Sequence, residues 1–356
     1  MSTNNIVVLD LLNGQESHRD FNTNVYHMYA KSSAKILWVC DRSVSYLDNL
    51  SGFTARKIRL RNPGGRFHRW IVINLFIVRY ILKYRRSRIV FLHLPPLSQF
   101  WVCILAAVLK GLKIEIFLHG ELVYLEKNTG AGQKFGALCL RYVLKENTTN
   151  VVKHCLSQSI FNRLTEMAEI NRQNVKYGFY QINEHRPIRS TKSTEGRQRI
   201  LATGVVSKRK GFLLVNKLAD NLSAAQTFDI MVFGRTDGTL CKHDFDRRIT
   251  VGLFSDMIPN TEYQTLLSES SLVFIPQLFS REYELVYSGL VETCLRQCIP
   301  IITKRTRFLA EIEASVGPIG VLCDDVCEVG SINFGSFDVA AVENFRRNLE
   351  NWRNEQ

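Results

Sequence analysis

The sequence predicts an α/β protein of two successive domains, each a doubly wound parallel sheet. Three observations carry that prediction: a length of 356 residues, short aliphatic runs alternating with helix-length segments, and one long polar break near the middle. At roughly 150 residues per domain the length suits two domains. With 46% hydrophobic and 22% charged residues the chain has apolar side chain for two cores, which excludes a disordered protein.

In the first half, strands are expected at 6–10, 35–40, 88–93, 113–118 and 151–156, short runs dominated by Val, Ile, Leu and Phe. Their near-continuous apolarity suits strands covered on both faces. Helices fit between them at 67–84, 97–109, 134–145 and 159–167. Residues 181–197 hold almost no apolar side chain and make the best linker. The domains are therefore 1–185 and 186–356, with the last helix placed to pack back on the first domain. The second half restarts the alternation, with strands at 199–203, 228–233, 249–253, 272–275, 299–303 and 320–323, as βαβ units require. Residues 130–136 (Gly-Ala-Gly-Gln-Lys-Phe-Gly) have phosphate-loop spacing but follow Glu126-Lys127-Asn128-Thr129, not an apolar strand, and are expected as a mobile loop. Ligands of doubly wound sheets bind outside the carboxyl ends of the strands, and pockets favour domain interfaces. The cleft between the halves is where a ligand is expected.

No transmembrane segment is expected, because the apolar run 70–78 is nine residues long and includes Asn74, against about 20 for a spanning helix. The polar start through Asn5, followed directly by Ile6-Val7-Val8-Leu9, lacks a signal-peptide pattern. The nine cysteines lie mostly in apolar context and suit a reducing cytoplasm. Cys294 and Cys298, like Cys323 and Cys327, are separated by three residues with no His at a finger-like distance, so they are expected as small buried hydrophobes and not as zinc ligands.

Charge divides the chain unevenly. The formal net charge is +13; residues 1–190 carry 27 basic and 12 acidic side chains, leaving 19 basic and 21 acidic in the rest. Residues 51–100 alone hold eleven basic side chains, no acid, and the aromatics Phe67, Trp70, Phe76, Tyr80 and Tyr84. A basic, aromatic-interleaved segment favours an anionic surface. No nucleic-acid motif is present, and the apolar stretch between the charges suits an anionic membrane leaflet.

The most specific pattern lies in the second half: Tyr283-Glu284-Leu285-Val286-Tyr287-Ser288-Gly289-Leu290-Val291-Glu292, then Leu295-Arg296-Gln297-Cys298-Ile299-Pro300-Ile301. A carboxylate in a loop and a second, eight residues on, at a helix start can line one cleft. This pattern resembles the signature of the retaining, nucleotide-sugar-dependent glycosyltransferases of family four, whose GT-B architecture is two facing doubly wound domains. The order of the flanking segments strengthens the resemblance. Residues 203–212 (Thr-Gly-Val-Val-Ser-Lys-Arg-Lys-Gly-Phe) look like the strand and loop that hold the donor diphosphate. Residues 229–234 look like the next strand with its glycine turn, 262–276 like the helix and strand before the paired glutamates, and 307–312 like the helix start after them. In the first half, 116–121 resembles a strand ending in His-Gly, and 155–159 a small-polar turn.

The resemblance implies that Gly204, Lys208, Arg209 and Lys210 bind the donor diphosphate and that Glu292 accepts from the ribose. It places Glu284 against the sugar ring and His119 near the anomeric centre. Independently of any family, a diphosphate needs cations and N–H donors, which Lys208, Arg209, Lys210 and the following helix start supply. Positive side chains and dipoles can stabilise a leaving phosphate without a metal, so no cofactor or metal is expected and the nucleotide sugar is a substrate. Asp244-Phe245-Asp246, a metal-type spacing in a polar connection, is expected as a surface loop. Four departures stand out: Val205 where the family carries Arg, Leu285-Val286-Tyr287 in place of a glycine-rich turn, Gln297 in place of a helix-closing Gly, and a shortened glycine loop at 13–18.

The expected activity is a retaining, metal-independent hexosyl-type glycosyltransferase. Its acceptor is a glycan, lipid-linked, in synthesis of a bacterial surface polysaccharide such as lipopolysaccharide, capsule or exopolysaccharide. The enzyme would be cytoplasmic and peripheral on the inner face of the membrane, without a nucleic-acid partner. The competing readings are a sugar-nucleotide epimerase or an inverting transferase of the same architecture, and a non-catalytic sugar-nucleotide or membrane-binding protein.

Overall fold

The computed structural model describes residues 5–11, 19–31, 34–49, 52–58, 66–109, 111–126, 130–167, 170–177, 198–221, 228–280, 288–336 and 338–355. The expected linker and Glu284 lie outside these residues. The chain forms two compact units, one within Met1–Tyr180 and one within Gln181–Gln356.

The first unit runs β1 (Asn5–Asp10), α1 (Arg19–Ala30), β2 (Lys35–Asp41), β3 (Phe53–Ile58), α2 (Arg66–Lys83), β4 (Arg88–Phe91), α3 (Pro96–Val108), β5 (Lys113–Leu118), α4 (Val123–Glu126), α5 (Ala131–Lys145), β6 (Val151–Cys155), α6 (Gln158–Met167) and β7 (Val175–Lys176). Its seven strands are all parallel, in the order β3-β2-β1-β4-β5-β6-β7. Alternate strand residues feed two cores. Val7 and Leu9 pack with Ile77 and Ile81 of α2 and Val102 of α3, while Ile6 and Val8 pack with Val25 and Tyr29 of α1 and with Trp38. Burial on both faces is why β1 is apolar from Ile6 to Leu9.

Beyond the short α4 and β7, which the sequence did not predict, three elements differ from the sequence expectation. Helix α1 was unforeseen because only Phe21, Val25, Tyr26 and Tyr29, one stripe of a polar segment, reach the core. Strand β3 hides in the basic segment: residues 54–57 are exposed, and Arg56 and Lys57 mark it as a charged edge strand. Residues 131–136, expected as a mobile loop, are the first turns of α5. Gly136 there admits the ring of Tyr124, to which a Cβ would approach within 2.9 Å.

The second unit runs β8 (Gln198–Val206), α7 (Leu214–Asp220), β9 (Phe228–Thr236), β10 (Ile249–Phe254), α8 (Asn260–Ser268), β11 (Leu272–Ile275), α9 (Gly289–Arg296), β12 (Ile301–Lys304), α10 (Arg307–Val316), β13 (Gly320–Cys323), α11 (Val326–Val329) and α12 (Val339–Glu355). Its six parallel strands take the order β10-β9-β8-β11-β12-β13. The last helix packs on this unit: Val342 and Leu349 enter its cores, and Trp352 meets Phe308 edge-on at 6.5 Å. The turn closing α9 places the left-handed residue at Cys298, φ 55°, one position after Gln297. A Cβ there costs about 1–2 kcal/mol.

Among the described residues no helix is long and apolar enough to cross a membrane. Cys241 and Cys327 are exposed and the other seven cysteines are buried.

Candidate functional site

In each sheet the strand order reverses direction at one point, between β1 and β4 in the first unit and between β8 and β11 in the second. Loops leaving the carboxyl ends diverge there and leave room for a ligand. Of the described sequence-predicted residues, Gly204 lies in β8, Lys208, Arg209 and Lys210 follow it and Glu292 follows β11, while His119 follows β5, one strand from the first point.

In the first unit His119 follows β5 and caps a single turn at Gly120–Leu122. Its ring lies edge-on to Phe21 at 4.3 Å and 6.0 Å from that of His93, which follows β4. Beneath them Glu121 is buried, and its Oε1 accepts from the His119 backbone N–H at 3.0 Å and from Gln99 Nε2 at 2.8 Å. Glu121 Oε2 stands 3.9 Å from His93 Nδ1. Burial raises the Glu121 carboxyl to about 7, against the hydrogen bonds from His119 and Gln99, and lowers His93 to about 4. His93 is therefore neutral at neutral pH. Four buried polar atoms, His93 Nδ1, Glu121 Oε2, Gln99 Oε1 and Ser98 Oγ, have no hydrogen-bond partner among the described residues. Such groups are uncommon in native interiors, and this set suits hydroxyl groups, which both donate and accept.

A second buried carboxylate in this sheet has a different role. Glu115 accepts from Tyr29 Oη at 2.5 Å, lies 2.9 Å from His154 Nε2, and forms an ion pair with Arg88. Burial would raise its carboxyl, but His154, Tyr29 and Arg88 bring it below its ordinary value. Arg88, counted from sequence with the surface cations, thus anchors a core network.

In the second unit Gly204 is exposed, with φ 119°, in the last turns of β8. It pairs in register with Gly234, where a Cβ would stand 2.1 Å from the Gly204 oxygen, so only glycine fits. The loop then turns at Gly211 (φ 72°). Most of its amides are committed: Lys210 N–H donates to Ser207 Oγ, and those of Leu214, Val215 and Asn216 donate to the carbonyls of Gly211, Phe212 and Leu213. The expected N–H donors at the helix start are therefore tied into the turn, which leaves cationic side chains to meet an anion. Lys208 and Arg209 are exposed and Lys210 is half-buried. Burial, then the charges of Arg209 and Arg235, pull the Lys210 ammonium below its ordinary value, opposed by Asp237.

Glu292 is buried in the first turn of α9, after β11, and its carboxylate is paired with Arg296 one turn on. Ser288 caps this helix by accepting from the Val291 N–H. Asp244 caps a short turn by accepting from Cys241 N–H, and Asp246 binds Arg248, which holds it at about 2. Both carboxylates serve their own loop.

The structure thus puts Lys208, Arg209 and Lys210 on the loop after β8, Gly204 near the end of that strand, and Glu292 after the neighbouring strand. His119 belongs to the other unit. Sequence reasoning missed His93, Gln99, Glu121, Arg235 and Arg296. Their one sequence signal is position, at strand ends for His93 and Arg235 and four residues from Glu292 for Arg296.

No protein-family model matches the chain, and no curated protein matches it. Solved structures do. The sucrose-phosphate synthase of Thermosynechococcus elongatus superposes with a TM-score of 0.72 at 13% identity, over 98% of this chain and 93% of that one. Anabaena Alr3699/HepE, in complex with UDP and glucose, gives 0.69 at 12% identity over 99% and 95%. WaaG, a glycosyltransferase involved in lipopolysaccharide biosynthesis, gives 0.68 at 11% identity over 99% and 95%. The likeness is one of fold: two doubly wound parallel-sheet domains in the GT-B class.

Proposed function

We propose that this chain is a glycosyltransferase that moves a sugar from a nucleoside-diphosphate donor to a hydroxyl of a glycan acceptor. The observation that carries the reading is the cation-rich loop at the switch point of the second sheet, where Lys210 and its guanidinium neighbours suit a diphosphate. The fold shared with transferases supports it. In this reading Lys208, Arg209 and Lys210 neutralise the diphosphate as the glycosidic bond breaks, Glu292 accepts from the ribose, and Glu284 and His119 face the sugar. The finer proposals are retention of anomeric configuration, independence from metal, and a lipid-linked acceptor of surface polysaccharide synthesis.

Membrane contact through the first unit is part of the proposal. Leu75 and Leu82 of α2 are exposed beside Arg79, Lys83, Arg85 and Arg86. Along α5 the exposed stripe Lys134, Phe135, Leu138, Arg141, Tyr142 and Lys145 interleaves cations with apolar side chains, next to exposed Trp101 of α3. Such a face suits anionic lipid.

A panel of nucleotide sugars in a thermal melt tests the core reading, since a preferred donor raises the midpoint by mass action. Glu292→Ala should weaken that donor about tenfold or more, as a lost charge-assisted hydrogen bond costs about 1.5–3 kcal/mol. Glu284→Ala should lower turnover more than stability. Activity that survives EDTA and a product of unchanged anomeric configuration would support the finer claims. The pairing of Glu292 with Arg296 favours a second reading, a non-catalytic binding protein of the same fold. Donor binding without transfer or donor hydrolysis would select it.

A further inference from the structure

We propose that Arg235 is a diphosphate-binding residue that supplies, from β9, the guanidinium absent at Val205. The proposal rests on the reading of the second unit as a donor site and adds a contact to it. Val205 and Arg235 are direct register partners in the parallel pair β8–β9, so their side chains leave the same face of the sheet at its carboxyl edge. The loops that follow the two strands are joined, because Lys208 N–H donates to Thr239 Oγ1 at 3.1 Å. Arg235 and Lys210 therefore stand on one ledge.

The charges on that ledge are unbalanced. Among the described residues the carboxylate that acts on Lys210 beside Arg235 is Asp237, which already accepts from the Thr239 N–H at 3.0 Å and from its hydroxyl at 2.5 Å. Lys208 lies toward Asp244 and helps hold that carboxyl low. Among the described residues neither Lys210 nor Arg235 has an ion-pair partner. Like charges side by side around a half-buried lysine are unfavourable, and an anion with several oxygens removes that repulsion. A pyrophosphate group has the charge and the span to be held by Lys210 on one side and bidentately by Arg235 on the other.

Calorimetric titration of the full chain with inorganic pyrophosphate, which carries no base or sugar, tests this. The wild-type protein should bind it, Arg235→Gln should bind about tenfold more weakly, and adding Val205→Arg to that variant should restore most of the affinity. Thermal midpoints without ligand report folding, and Arg235→Lys, which keeps the charge, should fall between wild type and Arg235→Gln. Unchanged pyrophosphate affinity in a folded Arg235→Gln variant overturns the proposal. Weakening that Val205→Arg does not repair overturns the substitution of one register position for the other. If the wild-type chain binds no pyrophosphate, the donor-site reading falls and takes the proposal with it.

Discussion

The two units share a sheet architecture and place charge in opposite ways. At the switch point of the first, the polar groups are buried, close to neutral, and partly without partners: a carboxyl raised to about 7 beside a histidine lowered to about 4. At that of the second, cations crowd a loop on one side and a buried carboxylate is bound to its own arginine on the other. A site of neutral, half-satisfied donors and acceptors suits hydroxyl groups, and a site of excess cation suits phosphates. The contrast teaches that one sheet architecture can carry two different electrostatic environments through the residues after a few strands, with the sheets themselves unchanged.

The largest expected effect tests the claim that ion pairing in the second unit is structural as well as functional. Arg296→Ala removes the arginine paired with buried Glu292 and should destabilise the protein by about 3–5 kcal/mol, measured by denaturant unfolding. A loss below about 1 kcal/mol would show that solvent reaches the pair and that Glu292 is available to a ribose without competition.

In the first unit the corresponding test is pH. Folded Glu121 binds its proton more tightly than the unfolded chain does, so its contribution to stability is full below its ordinary value of 4.5 and is lost as pH rises through about 7. At about 1.4 kcal/mol per pKa unit the ionised form costs about 3 kcal/mol. Glu121→Gln keeps an acceptor for the His119 N–H and removes the titration. Its stability relative to wild type should therefore climb between pH 5 and 8. A difference that stays flat with pH would mean that Glu121 is ionised at no cost, and the contrast between the units would disappear.

Smaller effects concern ligands. Lys210→Ala should weaken the preferred nucleoside diphosphate by about 1.5–3 kcal/mol and leave the free nucleoside nearly unchanged, compared by calorimetry. Equal weakening of both would make Lys210 a structural residue. The smallest is membrane binding. Arg85→Glu with Arg86→Glu should reduce binding to anionic vesicles by about 1 kcal/mol per residue, with weaker binding as salt rises. Arg88 is left out because its reversal would break the Glu115 network. Undiminished vesicle binding would detach the basic segment from any membrane role.

Several features were legible in the sequence because their cause is local. Strands β11 and β13 are apolar end to end, and β1 is so from Ile6 to Leu9, since both faces are covered, and that composition survives in the linear chain. The turn at Lys208–Lys210 is marked by Ser207 and Gly211 beside an apolar strand, and both residues make it. Helix α1, by contrast, shows one apolar stripe in a polar segment, and the glycines at 130–136 suggest a loop until Tyr124 is seen to fill the space over Gly136.

The sequence alone determined the α/β alternation, the basic first half and the chemical types present at the strand ends. Only the tertiary structure decided which of those groups meet. Arg235 joins Lys210 through the β8–β9 register, and His93 approaches Glu121 because β4 and β5 are neighbours. Arg88 leaves the surface charge by pairing with a carboxylate one strand over. The reason is the same in each case: a parallel sheet pairs residues separated by a whole crossover, so a shift of one residue in register would exchange every such partner.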